Sequence, residues 1–122
     1  MQSWDEQTPI YLQLREVVVR RIVEGGLQEG AAVPSVRQVA SEEQINPLTV
    51  SRAYQMLVDE GLLEKRRGVG MFVCQGAQST ALETERNKFI EEEWPKILTR
   101  LSTLKLDLQL LPAQEEQGGG RT

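Results

Sequence analysis

The sequence predicts a mainly α-helical fold with a small β-hairpin: an N-terminal domain of three helices and a hairpin, then a short C-terminal helical region. Three observations predict it. Pro9 and Pro47 each follow a polar residue suited to capping and each open an apolar run of helical period. Two short apolar runs flank the glycine-containing stretch KRRGVG. Beyond Leu82, apolar residues recur at helical spacing in a segment too short to build a core of its own. At 122 residues and 39% hydrophobic content, the chain has room for one small domain and an appendage, and a large substrate-enclosing fold is excluded.

The elements follow in order. Thr8 is the expected cap of the first helix, with Pro9 at its first position. Ile10, Leu14, Val17, Val18, Ile22 and Val23 form its apolar stripe, and Gly25-Gly26 stops it. After LQEGA and the short segment Ala32-Val33, Ser35 with Gln38 three residues on predicts a capping box for a short second helix ending near Glu43, with Val36, Val39 and Ala40 on one face. Asn46 and Pro47 start the third helix, and Gly61 closes it. Leu62 to Glu64 and Met71 to Val73 then read as two short strands. Three helices with a trailing ribbon make a winged helix-turn-helix domain, and the three residues between helices two and three suit the tight turn of that motif. This domain is assigned to residues 1–76.

Residues 75–80, QGAQST, are small and polar and read as a linker. The second region, residues 77–112, carries Phe89, Ile90, Trp94, Ile97, Leu98, Leu101, Leu104, Leu108 and Leu111 in approximate helical phase. Pro95 interrupts it, and because the phase survives the proline a kinked helix, or two helices in line, is expected. LKLDLQL also alternates with period two, so a strand there is the competing expectation. Residues 113–122 have the composition of a disordered tail.

Several function classes are excluded early. One cysteine, Cys74, and no histidine rule out an internal disulfide, a Cys/His zinc site and a histidine relay. Cys74 reads as a small apolar strand residue, since no neighbouring base would activate it. The glycines of GVG sit in a hairpin and not between strand and helix, so they are no nucleotide loop, and no catalytic constellation can be assembled. The expectation is no enzyme, no cofactor and no metal; Glu91, Glu92 and Glu93 are read as a solvated helix face. No apolar run approaches the roughly 20 residues that span a bilayer, and MQSWDEQTP lacks the features of a signal peptide, so a cytoplasmic protein with no membrane partner is expected.

Net charge argues in the opposite direction from the local pattern. The chain carries −4 overall, and residues 1–77 hold eight Lys/Arg against ten Asp/Glu. A polyanion can be bound only if the cations are segregated on one face, because the field decays over a Debye length of about 8 Å at physiological salt. On a helical wheel, Ala53, Tyr54 and Leu57 fall within about 60° of Val50, whereas Leu48, Arg52 and Gln55 fall within about 40° of the opposite side. Thr49 and Ser51 flank that outer face. It offers an apolar contact for a thymine methyl, hydroxyls for phosphates and a guanidinium able to grip guanine. One turn later, Lys65, Arg66 and Arg67 stand where a ribbon beside a groove-bound helix meets phosphates, and Gly68 and Gly70 let the backbone approach closely. Arg37, in the first turn of the second helix behind the Ser35 cap, adds a phosphate contact. The alternative for the hairpin is that its charges only protect an edge from aggregation.

VPSVRQVA and INPLTVSRAYQMLVDEGLLEKRRGVGMFV resemble the winged-helix domain of the GntR family of bacterial transcription regulators, whose pattern runs roughly PSxRxLA, TVxxAxxxLxxEGL and RxGxGTFV. The resemblance covers residues 8 to 74. It implies an operator-binding homodimer in which Arg37, the N-terminal part of the third helix from Asn46 onward and the glycine-containing wing touch double-stranded DNA. Two positions depart from the pattern: Ser51 stands where most members carry arginine, which here comes at Arg52, and Met71 replaces the usual threonine of the wing. The short second region points to the YtrA-like branch. That branch implies a repressor, with a transporter operon as the expected target.

The stripe of Phe89, Ile90, Trp94, Ile97, Leu98, Leu101 and Leu104 has to be buried against something, and a twofold mate is the expected cover; packing back onto the winged domain is the competing one. A helical pair of this size leaves little room for a ligand cavity of about 300 Å³, so the sequence names no small-molecule effector. The functional alternative to DNA reading is a winged-helix module that docks a protein, favoured by the net acidity.

Overall fold

The computed structural model describes residues 4–113. The chain divides into a first compact unit that runs to Glu85 and a second that begins at Arg86. The first unit is built on α1 (Ile10–Glu24), α2 (Val36–Glu43), α3 (Pro47–Asp59) and a hairpin of β1 (Leu63–Arg66) with β2 (Gly70–Val73). Helix α4 (Ala77–Lys88) carries the chain onward, followed by a π-helical turn (Phe89–Glu93), α5 (Trp94–Thr103) and a 3₁₀ turn (Leu108–Leu110).

The start of α1 departs from the expected Thr8 cap. Pro9 itself is the capping residue, and its carbonyl accepts the Leu12 and Gln13 N–H groups at 3.1 and 3.2 Å. The Gln13 side chain satisfies the preceding segment instead, donating to the Asp5 and Thr8 carbonyls and accepting from Asp5 N–H. Leu14, Val18, Val19 and Ile22 are buried, Val17 and Val23 half-buried, and Ile10 exposed. Val19, absent from the predicted stripe, is 1% exposed and belongs to the same core cluster. Gly25 at φ 88° ends the helix, as its missing Cβ permits.

Helix α2 begins at Ser35, whose Oγ accepts Gln38 N–H at 3.0 Å. The capping box is half realised: Gln38 Nε2 turns to Glu42. Helix α3 has the expected Asn46 cap, which accepts Leu48 N–H at 2.8 Å, and Pro47 in its first turn. Gln44 at φ 55° makes the sharp turn between α2 and α3. Val50, Ala53 and Leu57 are fully buried and Tyr54 is 2% exposed, so the inner face is the one that the wheel predicts. Tyr54 Oη donates to the Pro34 carbonyl at 2.7 Å and ties α3 to the approach of α2.

The hairpin is longer than predicted. Its register runs from Leu63 opposite Val73 to Arg66 opposite Gly70, so Lys65 and Arg66 belong to a strand and only Arg67, Gly68 and Val69 form the loop. Gly68 at φ 73° supplies the left-handed position that the turn requires. The segment Gly30–Val33 pairs with the other edge of β2: Gly30 N donates to Val73 O, Val73 N to Ala31 O and Val33 N to Met71 O, with an antiparallel bridge between Ala32 and Phe72. The short Ala32-Val33 segment therefore closes one sheet edge.

Residues 75–80 are not a linker. The chain turns at Gln75-Gly76 and is helical from Ala77, with Ala77 and Ala81 buried in the first unit's core. Their small apolar side chains pack closely, and composition alone hides that. Glu29 holds the start of α4: its carboxylate accepts N–H bonds from Gly76 and Gln78, which hold it below the usual carboxylate range, while Gln78 Nε2 donates to the Val23 carbonyl.

In the second unit the proline is accommodated by a π turn. Trp94 N–H reaches the Phe89 carbonyl, five residues back, which widens the backbone just before Pro95 at the head of α5. The chain thus stays helical through the proline into α5, but the extra residue of the π turn shifts the phase that the sequence pattern predicts. The C-terminus of α5 closes with Lys105 at φ 58° and Leu106 N–H on the Leu101 carbonyl. LKLDLQL is a turn followed by 3₁₀ structure capped by Asp107, not a strand; period-two alternation over few residues does not by itself find a pairing edge. Of the predicted tail, Ala113 is exposed and residues 114–122 lie outside the described residues.

Candidate nucleic-acid interface

Three features of α3 build the site. Its inner face is locked in the core, which fixes the rotation of the helix. Its N-terminus is capped by the exposed Asn46, leaving the positive end of the helix dipole toward solvent. Its first twelve residues, 47–58, contain no acid. Leu48 is 78% exposed, Ser51, Arg52 and Gln55 are exposed, and Thr49 is half-buried on the flank. Gln55 Nε2 is turned along the helix to Asp59.

Arg52 has a partner that the sequence does not announce. Its guanidinium carbon sits 3.9 Å from the centroid of the Tyr11 ring, on α1. Tyr11 is half-buried and packs against the core. Its place two residues after Pro9 is visible in the sequence, but its contact lies across the α1–α3 packing and has no local signal. Ser35 and Arg37 are exposed at the start of α2.

The three adjacent cations of the hairpin are not equivalent, which corrects the reading of them as one turn. Strand alternation puts Arg66 on the face of Glu64 and Phe72, and Lys65 on the other. Arg66 pairs with Glu64 at 3.0 Å and lies 4.1 Å from the Phe72 ring centroid. Arg67, Gly68 and Val69 form the exposed tip, and Lys65 and Gly70 are also exposed. Among the described residues, no carboxylate forms an ion pair with Arg37, Arg52, Lys65 or Arg67. Arg15 shows the opposite use of an arginine: its Nε donates to both Glu60 carboxylate oxygens, and that bonding raises its pKa further.

Chemistry elsewhere in the first unit is quiet. Burial pushes the Cys74 thiol up, away from thiolate reactivity. A cavity of about 100 Å³ beside Trp4, Val17 and Tyr54 falls below the roughly 300 Å³ of ordinary ligand pockets, whereas more open hollows of about 370 Å³ beside Arg15, Glu60 and Thr80 and about 630 Å³ beside Arg37, Ser41 and Pro47 are larger. No cluster of metal-ligating side chains occurs among the described residues, and no helix among them is long and apolar enough to cross a membrane.

In the second unit Phe89, Ile90, Ile97, Leu98 and Leu104 are exposed, and Trp94 and Leu101 half-buried. Phe89 and Trp94 meet at 6.3 Å between ring centroids. None of the described residues from Arg86 onward is buried.

Residues 10–73 match the model of the bacterial regulatory proteins, gntR family, and this span is more than half of the chain. The chain belongs to the GntR family. It is 35% identical over 85 residues to the HTH-type transcriptional repressor YtrA of Bacillus subtilis, covering 70% of this chain and 65% of that protein. A GntR family transcriptional regulator from Listeria monocytogenes superposes with a TM-score of 0.71 at 25% identity, covering 87% of this chain and 91% of that one. The N-terminal domain of AraR, solved in complex with mutant ORR3, superposes with a TM-score of 0.54 at 26% identity, over 57% of this chain and all of that one. The chain spans just under two thirds of the length of the curated relatives that it matches first.

Proposed function

We propose that this GntR-family chain is a cytoplasmic, sequence-specific DNA-binding regulator that acts as a homodimer on an operator of two half-sites and represses transcription. The observation that carries the reading is the outer face of α3: Leu48, Ser51, Arg52 and Gln55 are exposed on a helix whose other face is buried in the core, and among the described residues no carboxylate forms an ion pair with Arg52. A helix so presented enters a major groove with its first two turns, the hydroxyls and Arg37 meet phosphates, and Lys65 and Arg67 displace counterions beside it. The AraR complex and the repressor YtrA support the DNA target and the sign of regulation. The exposed apolar stripe of the second unit supports a twofold mate, which would set half-sites about one helical turn, roughly 34 Å, or a multiple of it, apart. A transporter operon is the target class that the YtrA-like branch implies, and the reading calls for no catalysis and no cofactor.

A gel shift on the DNA upstream of the chain's own operon tests this, run with and without excess nonspecific duplex. Retardation that survives the competitor is expected. Loss of all retardation in competitor, with a protein captured instead through α3, would favour the docking-module reading, for which the net charge of −4 and the exposed Leu48 and Val69 are the supporting observations.

A further inference from the structure

We infer that Tyr11 is a positioning residue for DNA reading: the face of its ring holds the Arg52 guanidinium in a fixed place without a carboxylate, so that its N–H donors can meet a base edge. The inference rests on the proposed role of α3 and adds to it a residue of α1, a helix to which nothing in the DNA reading itself assigns a part.

Three uses of arginine in this chain make the argument. Arg15 is chelated by Glu60, so its donors are consumed and its charge is matched. Arg66 is shared between Glu64 and the Phe72 ring, so one donor is used. Arg52 lies 3.9 Å from the Tyr11 centroid and forms no ion pair among the described residues. A guanidinium has five N–H donors in its plane and none on its faces. Attraction to the negative face of an aromatic ring therefore restrains the group without occupying a donor. A free arginine at this position would have to be ordered on binding, whereas a stacked one is ordered beforehand.

The platform is itself held. Tyr11 packs against the core cluster, and the first turn of α1 is fastened by the Pro9 carbonyl and by the Gln13 side chain, which makes three hydrogen bonds of 2.6 to 2.7 Å to the segment before it. The contact with Arg52 is to the face of the Tyr11 ring, so the contribution is assigned to the ring.

The test uses the full chain and a DNA duplex selected by the protein from random sequence, with an unrelated duplex as reference. Kd values are measured for the parent, Tyr11→Phe, Tyr11→Leu, Arg52→Ala and the double variant Tyr11→Leu/Arg52→Ala, with thermal unfolding of each as a check of folding. Tyr11→Phe is expected to bind within about twofold of the parent, since the ring remains. Tyr11→Leu is expected to weaken the selected duplex by about 2- to 30-fold per half-site, to flatten the preference at the base pair that Arg52 reads, and to leave the unrelated duplex unchanged. In the Arg52→Ala background the leucine substitution is expected to do nothing further, because the two act as a unit.

Each other outcome has a distinct meaning. Equal losses for phenylalanine and leucine would make the hydroxyl a direct DNA contact and overturn the proposal. So would tighter binding by Tyr11→Leu, which would make the stack a restraint that keeps Arg52 off DNA. Additive losses in the double variant would also overturn it. If Arg52→Ala itself leaves the selected duplex bound as before, it is the role of α3 that fails, and a failure of Tyr11 alone leaves that role standing. Should Tyr11→Leu unfold, Tyr11→Phe and Tyr11→Trp decide the matter: both retain a ring, and loss of base preference in either as a folded protein contradicts the proposal.

Discussion

The two units treat the same kind of apolar helical stripe in opposite ways. In the first, Ile22, Val50 and Leu57 are at 0% exposure, each buried in the core of the same unit. In the second, a stripe of comparable regularity remains open, with Ile90 at 59% and Leu104 at 52%. Periodicity reports on which side of a helix the apolar groups lie. What covers them is decided by the rest of the chain, or by a second copy of it. The first unit buries its stripes among its own elements, and the second leaves one exposed.

The contrast is broken most forcefully in the core of the first unit. Leu57→Ala removes a fully buried side chain and is expected to cost about 2 to 5 kcal/mol in urea unfolding of that unit. A loss below about 1 kcal/mol would mean that the first unit's packing is not what sustains it.

Tyr54→Phe is a gentler probe of the same unit. Removing the hydroxyl that donates to Pro34 is expected to cost about 0.5 to 1.5 kcal/mol. Burial pushes the Tyr54 pKa up to about 12. Its unfolded value is about 10, so the folded state disfavours the phenolate. The contribution is thus fully present below about pH 10 and is lost as pH rises toward 12. Between those limits the parent should lose stability with rising pH, and the phenylalanine variant should lose less. Parallel curves would remove Tyr54 from the alkaline limit.

The smallest effect on the first unit sharpens the comparison. Ile97→Ala in α5 is expected to change that unit's unfolding by less than about 0.5 kcal/mol, as an exposed side chain should. The same variant is expected to shift sedimentation toward the monomer. Destabilisation of the first unit without a change in mass would mean that the stripe is covered within one chain.

Much of this was legible beforehand, and the exceptions share a cause. Helix starts at Ser35 and Asn46 are encoded in residues two or three apart, and the inner face of α3 in a spacing of three and four, so they read directly from the sequence. Thr8 misleads because the helix starts one residue later: Pro9 takes the cap position, no side chain accepts a first-turn N–H, and the Thr8 carbonyl accepts from Gln13 Nε2. QGAQST looks like a linker because its residues are small and polar, and only the burial of Ala77, with Ala81 just beyond it, in the core shows otherwise. The cations of KRR look alike until strand pairing sends Lys65 and Arg66 to opposite faces. Of the candidate site, the exposed residues of α3 are visible in the sequence, whereas Tyr11 meets Arg52 across 41 positions; outside the site, Glu29 likewise reaches Gln78 across 49, and no local pattern carries such contacts.

The central claim is that the outer face of α3 distinguishes one DNA sequence from another through Arg52. The most direct measurement is the affinity of Arg52→Ala for a duplex selected by the parent protein and for an unrelated duplex, across a salt series, beside Arg67→Ala. The account predicts that Arg52→Ala loses about 1 to 3 kcal/mol per half-site on the selected duplex alone, whereas Arg67→Ala weakens both duplexes alike and lowers the salt slope. Equal, small losses from both variants on both duplexes would contradict it.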